Sequence, residues 1–234
     1  MESIQHSTKE YIVAFIDILG AKNKIKEDVD KSLNIVHRAY DDAIGILDSM
    51  YNGETESLRP EIRIFSDNIV IAVDTSIKGR SSALVAVLIY AGLIQHQFLH
   101  HKYLVRGGIS MGDFFIDDIM LWGTALTRAY EIESSIAIYP RIVLDPNMVG
   151  EMRVFENPVL KHWIKQDADR LSFVHYMQER TLKEKDKFLL LLLMRLEEAE
   201  QLLIEAAGNL KVQQKVLWHT TYLRDILLNY DQST

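Results

Sequence analysis

Two aspartates of this chain lie within otherwise apolar segments that are typical of β-strands. Asp17 ends the apolar run of AFIDILGAK, and Asp67 interrupts the segment IFSDNIVI. An ionised carboxylate at the end of a buried strand is costly unless a positive charge or hydrogen-bond donors accompany it. Two carboxylates on neighbouring strand ends would form an all-oxygen site suited to Mg²⁺ or Mn²⁺. Because Mg²⁺ is usually held together with substrate phosphates, the pair predicts chemistry on a phosphorylated substrate.

Each aspartate must also be weighed against an ordinary structural role. Asp67 lies in the turn-forming group SDN, where an Asp side chain commonly caps a turn. Asp17 is harder to explain in this way, because a strand end in a core is a poor place for an idle carboxylate. The segment ILGAK that follows it leads into a predicted helix and offers backbone N–H groups for phosphate oxygens.

Hydrophobic periodicity predicts the elements that must position these residues. YIVAFIDIL has the pattern of a buried strand, and EIRIFSDNIVIAVD that of a hairpin with SDN at its turn. Helical spacing indicates helices over 29–50, 81–102 and 124–136. We expect YLVRGGISMGDFFID to form two strand-like halves broken by its glycines, and PRIVLD to form a short strand. The resulting order β-α-β-β-α-β-α-β predicts an α+β fold, with an antiparallel sheet and helices on one face.

The pattern changes after Pro146, where two long apolar-striped segments predict a pair of C-terminal helices, the first ending at Gly208. We therefore predict two parts. Residues 1–180 would form the main domain, and residues 181–234 a helical hairpin packed on the core or at a dimer interface.

Composition excludes several classes of function. The chain has 234 residues and no cysteine, so disulfides, thiolate metal sites and a Cys nucleophile are excluded. A net charge of −7 provides no overall basic field, so we expect no nucleic-acid partner. The longest apolar run, FLLLLLM, is much shorter than the roughly 20 residues of a membrane span. The start, MESIQHSTKEY, lacks the order of a signal peptide, so we expect a cytoplasmic protein without a membrane partner.

Four segments, FIDILG, IRIFSDNIVIAV, VRGGISMGDFF and WGTALTRAYEIES, occur in an order and spacing that resemble class III nucleotidyl cyclases. They look most like the divergent bacterial branch that includes the pyrimidine cyclases of Pycsar antiphage defence. The resemblance covers roughly residues 10–180. It implies a ferredoxin-like βαββαβ core and a phosphorus–oxygen lyase that makes a 3′,5′-cyclic nucleotide and pyrophosphate. It further implies a homodimer with sites at the interface, and a separate effector that senses the cyclic nucleotide.

The resemblance also implies roles for particular residues around the aspartate pair. Asp17 and Asp67, with the carbonyl of Ile18, would bind two Mg²⁺ or Mn²⁺ ions per site. The phosphates would be cradled by three consecutive backbone positions, which are Leu19, Gly20 and Ala21.

The resemblance also implies roles for four other positions, two in the choice of base and two in binding the transition state. The two base positions of the family are occupied here by Arg63 and Met120, which match neither the adenine nor the guanine pattern. Because Arg is a donor-only group, Arg63 could donate to a pyrimidine carbonyl, which supports UTP or CTP as the substrate. Of the two, we favour UTP. The alternative is that Arg63 points to solvent on the hairpin.

The transition-state motif departs from the family's usual Asn and Arg, since the aligned positions are Thr127 and Glu131. The neighbouring Arg128 is our candidate for stabilising the pentavalent phosphate, with Thr127 as a weaker partner. These two residues would come from one protomer and the aspartates and Arg63 from the other. The structural alternative for Arg128 is a salt bridge to Glu131 or Glu133.

Two other functions remain open at this point. One is an adenylate or guanylate cyclase with an altered base pocket. The other is a non-catalytic nucleotide sensor on the same fold, which the loss of the usual Asn and Arg favours.

Overall fold

The structure is a computed structural model that describes residues 6–51, 59–178 and 185–231. Its strands are β1 Lys9–Leu19, β2 Glu61–Phe65, β3 Asn68–Asp74, β4 Leu104–Ile116, β5 Leu121–Trp122, β6 Ile142–Leu144, β7 Ile164–Gln166 and β8 Ser172–Val174. Its helices are α1 Ala21–Glu27, α2 Val29–Tyr51, α3 Thr75–Lys78, α4 Arg80–His100, α5 Thr124–Ser135, α6 Pro146–Glu151, α7 Leu160–Trp163, α8 Lys185–Glu205 and α9 Leu210–Asp231.

The sheet has the strand order β2-β3-β1-β4-β6-β8-β7, and β5 pairs with the end of β4. β1 lies near its centre, antiparallel to both β3 and β4. A single parallel pair, β4 with β6, is recorded within the described residues, and α5 connects these two strands. The predicted α+β class, hairpin and mainly antiparallel sheet are confirmed.

Both faces of the central strands are covered by helices. Ile12, Ala14 and Ile16 of β1 join the core cluster that includes α2 and α4. Val13 and Phe15 belong to a second cluster on the opposite face, formed with Ala125 and Ala129 of α5. The prediction of helices on one face therefore needs a correction. The physical reason is that β1 is apolar on both faces, as YIVAFI already indicates, so each face needs a cover.

Strand β4 is continuous over Leu104–Ile116, so the predicted division into two halves was wrong. Its glycines permit close packing rather than ending the strand. A Cβ on Gly108 would lie 2.2 Å from the carbonyl oxygen of Ala129 and 2.7 Å from Cβ of Ile132. Helix α5 therefore rests directly on the backbone of β4 at Gly108.

Helix α4 is the most buried long element. Within the part of the chain that the structure describes, it is the one helix whose length and composition would suit a membrane span. However, 78% of the apolar stretch of this helix is buried inside the protein, as in the central helix of a core. Its composition is therefore explained by packing between the sheet, α2 and α8.

The two C-terminal helices α8 and α9 pack against each other and against the rest of the chain. On α8, Nε of Arg195 donates to Nε2 of His96 in α4 at 3.2 Å. On α9, Trp218 stacks on Tyr139 with ring centroids 5.8 Å apart. The predicted boundary at 180 and 181 lies outside the described residues, so the division into two domains stays a prediction.

Candidate active site

The two aspartates lie at the same end of the sheet. Asp17 of β1 is paired with Asn68 of β3, and the N–H of Ile18 donates to the carbonyl oxygen of Asp67 at 2.9 Å. A two-residue turn, Ser66 and Asp67, joins β2 to β3, with Ser66 in the left-handed region at φ 55°. Tight hairpin connections favour such positive φ values. The turn therefore sets Asp67 beside the last residues of β1.

The environment of this pair disfavours two bare negative charges. Burial raises the pKa of Asp17, the positive charge of Arg106 lowers it, and the charge of Asp67 raises it further. Asp67 itself is only 7% exposed. A cation between the two carboxylates would therefore offset both desolvation and mutual repulsion.

The backbone that follows Asp17 turns sharply into α1. In an antiparallel sheet, the N–H and C=O of one residue point towards the same neighbouring strand. Because the Ile18 N–H donates to Asp67, the Ile18 carbonyl is also directed towards the turn that carries Asp67. Gly20 adopts φ 77° and begins α1, with its carbonyl accepting from the N–H of Asn23 at 3.2 Å. Leu19 and Ala21 flank this turn, which brings three consecutive backbone units close to the aspartate pair.

Two charged residues that the sequence analysis missed complete this end of the sheet. Arg106 lies opposite Asp17 in the β1–β4 register, with Nε 3.4 Å from Oδ2 of Asp17. Its Nη2 lies 2.7 Å from Oε1 of Glu133. Glu133 is 4% exposed, and burial raises the pKa of its carboxyl group. Its position four residues after the buried Ala129 was a signal of this inward orientation.

The donor set fits a metal ion that shares its ligands with a substrate. Among the described residues, no group of three or more His, Asp or Glu side chains could hold a metal ion. Asp17, Asp67 and the Ile18 carbonyl would therefore provide only part of a coordination shell. Mg²⁺ typically accepts one or two carboxylates and takes its other ligands from phosphates and water.

The two expected base-contacting residues lie near each other. The Arg63 side chain on β2 is about one-third exposed, and its Nη1 lies 3.4 Å from Glu61. Its Nη2 lies 3.8 Å from Asp118, in the loop between β4 and β5. The same loop carries Met120, which is 49% exposed. Arg63 therefore does not simply point to solvent but faces the Met120 loop.

Thr127 and Arg128 contact groups other than those of Asp17 and Asp67. The Thr127 hydroxyl donates to the carbonyl of Gly123 at 3.2 Å. Nε of Arg128 donates to Asp145 at 2.8 Å, and Nη1 donates to Glu131 at 3.2 Å. The alternative salt bridge to Glu131 is therefore present, whereas Glu133 contacts Arg106 instead.

Thr127 and Arg128 line an open depression of about 490 Å³ next to Trp122. The buried stripe of α5 faces the sheet, so this depression lies on the outward side of the helix. The structure thus brings together the residues expected to bind metal and phosphate around the β1–α1 turn, whereas Thr127 and Arg128 contact Gly123, Asp145 and Glu131.

The fold resembles those of solved cyclase domains. One of them is the monomeric guanylyl cyclase domain of the RhoGC fusion protein from the aquatic fungus Blastocladiella emersonii. It is 15% identical in sequence to this chain with a TM-score of 0.50, and the superposition covers 73% of this chain and 98% of that domain. A double mutant of that domain has 12% sequence identity and the same TM-score, and the superposition covers 72% of this chain and 96% of the mutant. The adenylyl cyclase CyaB from P. aeruginosa has 17% sequence identity and a TM-score of 0.48, and the superposition covers 73% of this chain and 94% of CyaB.

No model of a known protein family matches this sequence, and no curated protein does. At these identities the likeness concerns architecture. The chain therefore has the α+β fold found in the fungal guanylyl cyclase domain.

Proposed function

We propose that this chain is a metal-dependent nucleotidyl cyclase, which converts a nucleoside triphosphate to a 3′,5′-cyclic nucleotide and pyrophosphate. The observation that carries the proposal is the pair of Asp17, which is partly buried, and Asp67, which is buried, at one end of the sheet. The fold it shares with a guanylyl cyclase domain provides independent support.

In the proposed reaction, the 3′-hydroxyl oxygen of the substrate bonds to the α-phosphorus. The bond from that phosphorus to pyrophosphate breaks, and the hydroxyl proton passes to water. Asp17, Asp67 and the Ile18 carbonyl would hold two Mg²⁺ or Mn²⁺ ions, which neutralise triphosphate charge and activate the hydroxyl. The backbone N–H groups of Leu19, Gly20 and Ala21 would orient the phosphate oxygens.

A second copy of the chain would complete the site. Trp122, which lines the Arg128 depression, is 68% exposed. It also lines a second depression together with Ile119, at 92% exposure, and Met120, at 49%, and Tyr130 of α5 is 52% exposed. Clustered exposure of this kind marks interaction surfaces. A head-to-tail homodimer would place Thr127 and Arg128 of one protomer against the aspartates of the other. Because such a dimer is symmetric, it would have two equivalent sites.

A pyrimidine substrate, UTP rather than CTP, is the finer part of the proposal. It is supported by Arg63, a donor-only side chain that faces the Met120 loop. The resemblance to the Pycsar branch supports the last part of the proposal, in which the product is a cytoplasmic second messenger of antiphage defence that a separate effector senses.

The test is product identification from an equimolar mixture of the four nucleoside triphosphates with Mn²⁺, analysed by mass spectrometry. We expect a cyclic pyrimidine nucleotide as the main product, lost in Asp17→Asn. Asp41→Asn is the matched control, because Asp41 is an exposed residue of α2 that pairs with His37 at 2.8 Å. Absence of any cyclic product, with metal and nucleotide binding unchanged in Asp17→Asn, would contradict the proposal.

The same mixture separates the two other functions. Consumption of ATP or GTP alone would identify an adenylate or guanylate cyclase with an altered base pocket. The non-catalytic sensor is favoured by one observation, since Arg128 is already engaged by Asp145 and Glu131. Tight binding of a triphosphate without turnover would support that function.

A further inference from the structure

An apolar cavity of about 110 Å³ lies between the C-terminal helix α8 and the helices of the main core. Its walls include Ile89 and Leu93 of α4 and Phe188 and Leu191 of α8. The described residues that line it include none of the candidate active site and none of the Arg128 depression. The cavity is therefore a separate feature of the molecule.

The size and lining of this cavity are those of a site for a small apolar molecule. Apolar cavities of about 150 Å³ stay free of water and take up benzene or xenon. An empty apolar space destabilises a fold in proportion to its volume, because the atoms of its walls lose van der Waals contacts. A bound ring would restore these contacts.

A glycine in the middle of α4 contributes to the same cavity. Gly92 lines it, although glycine weakens the interior of a helix relative to alanine. A Cβ at this position would lie 3.4 Å from Cβ of Tyr176 and 3.5 Å from Cγ1 of Val174, which are ordinary contact distances. Close packing therefore does not require the glycine, and its effect is to leave this part of the cavity wall without a side chain.

The wall also contains a buried imidazole with a fixed tautomer. His96 lines the cavity and is 9% exposed. Burial and the positive charge of Arg195 lower its pKa from 6.5 to about 3, so the ring is neutral. Nε of Arg195 donates to Nε2 of His96 at 3.2 Å, and an arginine can only donate. The single proton of the neutral ring therefore lies on Nδ1.

This proton has no acceptor. Among the described residues, Nδ1 of His96 has one hydrogen-bonding neighbour, which is Nε2 of Gln97 at 3.3 Å. An amide nitrogen is a donor and cannot accept a proton. With the Gln97 amide in this orientation, a buried N–H of the cavity wall is left unsatisfied, which is costly until an acceptor arrives.

We propose that this cavity binds a small, uncharged aromatic ring that carries one hydrogen-bond acceptor, to which Nδ1 of His96 donates. The inference goes beyond the proposed function and does not depend on it. Helix α4, which forms one wall, packs on β1, the strand of Asp17. The ligand would therefore contact both the C-terminal hairpin and the helix that supports the candidate active site.

The test uses the full chain and two rings of equal size, benzene and pyridine, titrated calorimetrically in mildly alkaline buffer, where pyridine is uncharged. We expect both to bind with a dissociation constant of about 1 mM or below. Pyridine pays more than benzene to leave water, so it should bind only where a donor meets its nitrogen.

Leu191→Trp should fill the cavity and weaken the binding of both rings by at least about tenfold. It should unfold at the same temperature as the wild type or higher, because it replaces empty space with side-chain atoms. If it did not fold, Leu93→Phe would fill the cavity from the opposite wall. The matched control is Leu190→Trp, at the neighbouring position of α8, which is 61% exposed and should leave binding unchanged.

His96→Leu should lose pyridine binding and keep benzene binding. If this variant did not fold, the Nδ1 proton signal of His96 in the wild type would replace it, since it should shift downfield with pyridine and not with benzene.

Failure of the wild type to bind either ring would overturn the inference, as would equal binding by the wild type and a folded cavity-filling variant. Binding of benzene without pyridine would overturn the assignment of His96 as the donor. None of these results would bear on the proposed function, which is tested by the formation of cyclic product.

Discussion

Two regions of this molecule carry the residues that matter for the proposed reaction, and they differ in completeness. The carboxylate end comprises Asp17, Asp67, Arg106 and Glu133, which are largely buried. Arg106 forms ion pairs with Asp17 and Glu133, which joins β1, β4 and α5, and Asp67 lies in the turn beside Ile18. The α5 surface comprises Met120, Trp122, Thr127 and Arg128, which are solvent-exposed to different degrees and line open depressions. The comparison shows that the first region is formed within the chain, whereas the second is exposed, and under our proposal it is presented to a partner chain.

The difference has a physical basis in the cost of burying charge. A buried carboxylate must be accompanied by cations, so the carboxylate end is held in place before any ligand arrives. Arg128 is only partly buried and can exchange Asp145 for a phosphate at a modest cost. Mutations should therefore affect the two regions in different ways.

The largest effect is expected at the carboxylate end. Asp67→Asn should lower turnover by about 10³-fold, because metal stabilisation of a reacting phosphate is worth several kcal/mol. Steady-state kinetics with Mn²⁺ would measure it, with Asp41→Asn as the control. Retention of more than about a tenth of the wild-type rate would remove Asp67 from the proposed metal site.

A smaller effect is expected on the α5 surface. Arg128→Ala should lower kcat by about 10²-fold, as for removal of one transition-state donor. Asp145→Asn, which removes only the resting partner of Arg128, should leave kcat much closer to that of the wild type. If the two variants instead lost stability equally and kept full activity, Arg128 would be a structural residue.

The smallest effect concerns stability in the C-terminal hairpin, away from both regions. Burial lowers the pKa of His219 from 6.5 to about 4, and its Nε2 lies 2.7 Å from the Tyr176 hydroxyl. Between these pH values the unfolded chain binds more protons than the folded one, so stability should fall as pH drops from about 6.5 towards 4. The contribution is roughly 1.4 kcal/mol for each pKa unit.

Urea unfolding at several pH values would check this contribution. In His219→Gln the midpoint should depend less steeply on pH over the same window. An unchanged slope would mean that His219 does not govern acid sensitivity.

Much of the carboxylate end could be predicted from sequence because its signals are local. Asp17 and Asp67 each interrupt an apolar strand, and a two-residue turn brings one beside the other. Arg106 could not be found in this way, because its position opposite Asp17 depends on strand register between distant segments. Glu133 was within reach, since it lies on the apolar stripe of α5.

The errors of fold prediction have a similar origin. The glycines of β4 were interpreted as strand breaks, because glycine weakens strands locally. In the structure, Gly108 is required by the close approach of α5, which is a tertiary contact. The position of α5 on the second face followed from the apolar character of both faces of β1.

The central claim is that the carboxylate end of one protomer works with the α5 surface of another. The variants Asp67→Asn and Arg128→Ala, each nearly inactive alone, would be mixed in equal amounts and left to exchange subunits. The formation of cyclic product would then be measured. We expect about a quarter of the wild-type activity, because half of the dimers would be mixed and each would have one intact site. A mixture no more active than either variant, under conditions where subunit exchange is verified, would contradict a site shared between chains.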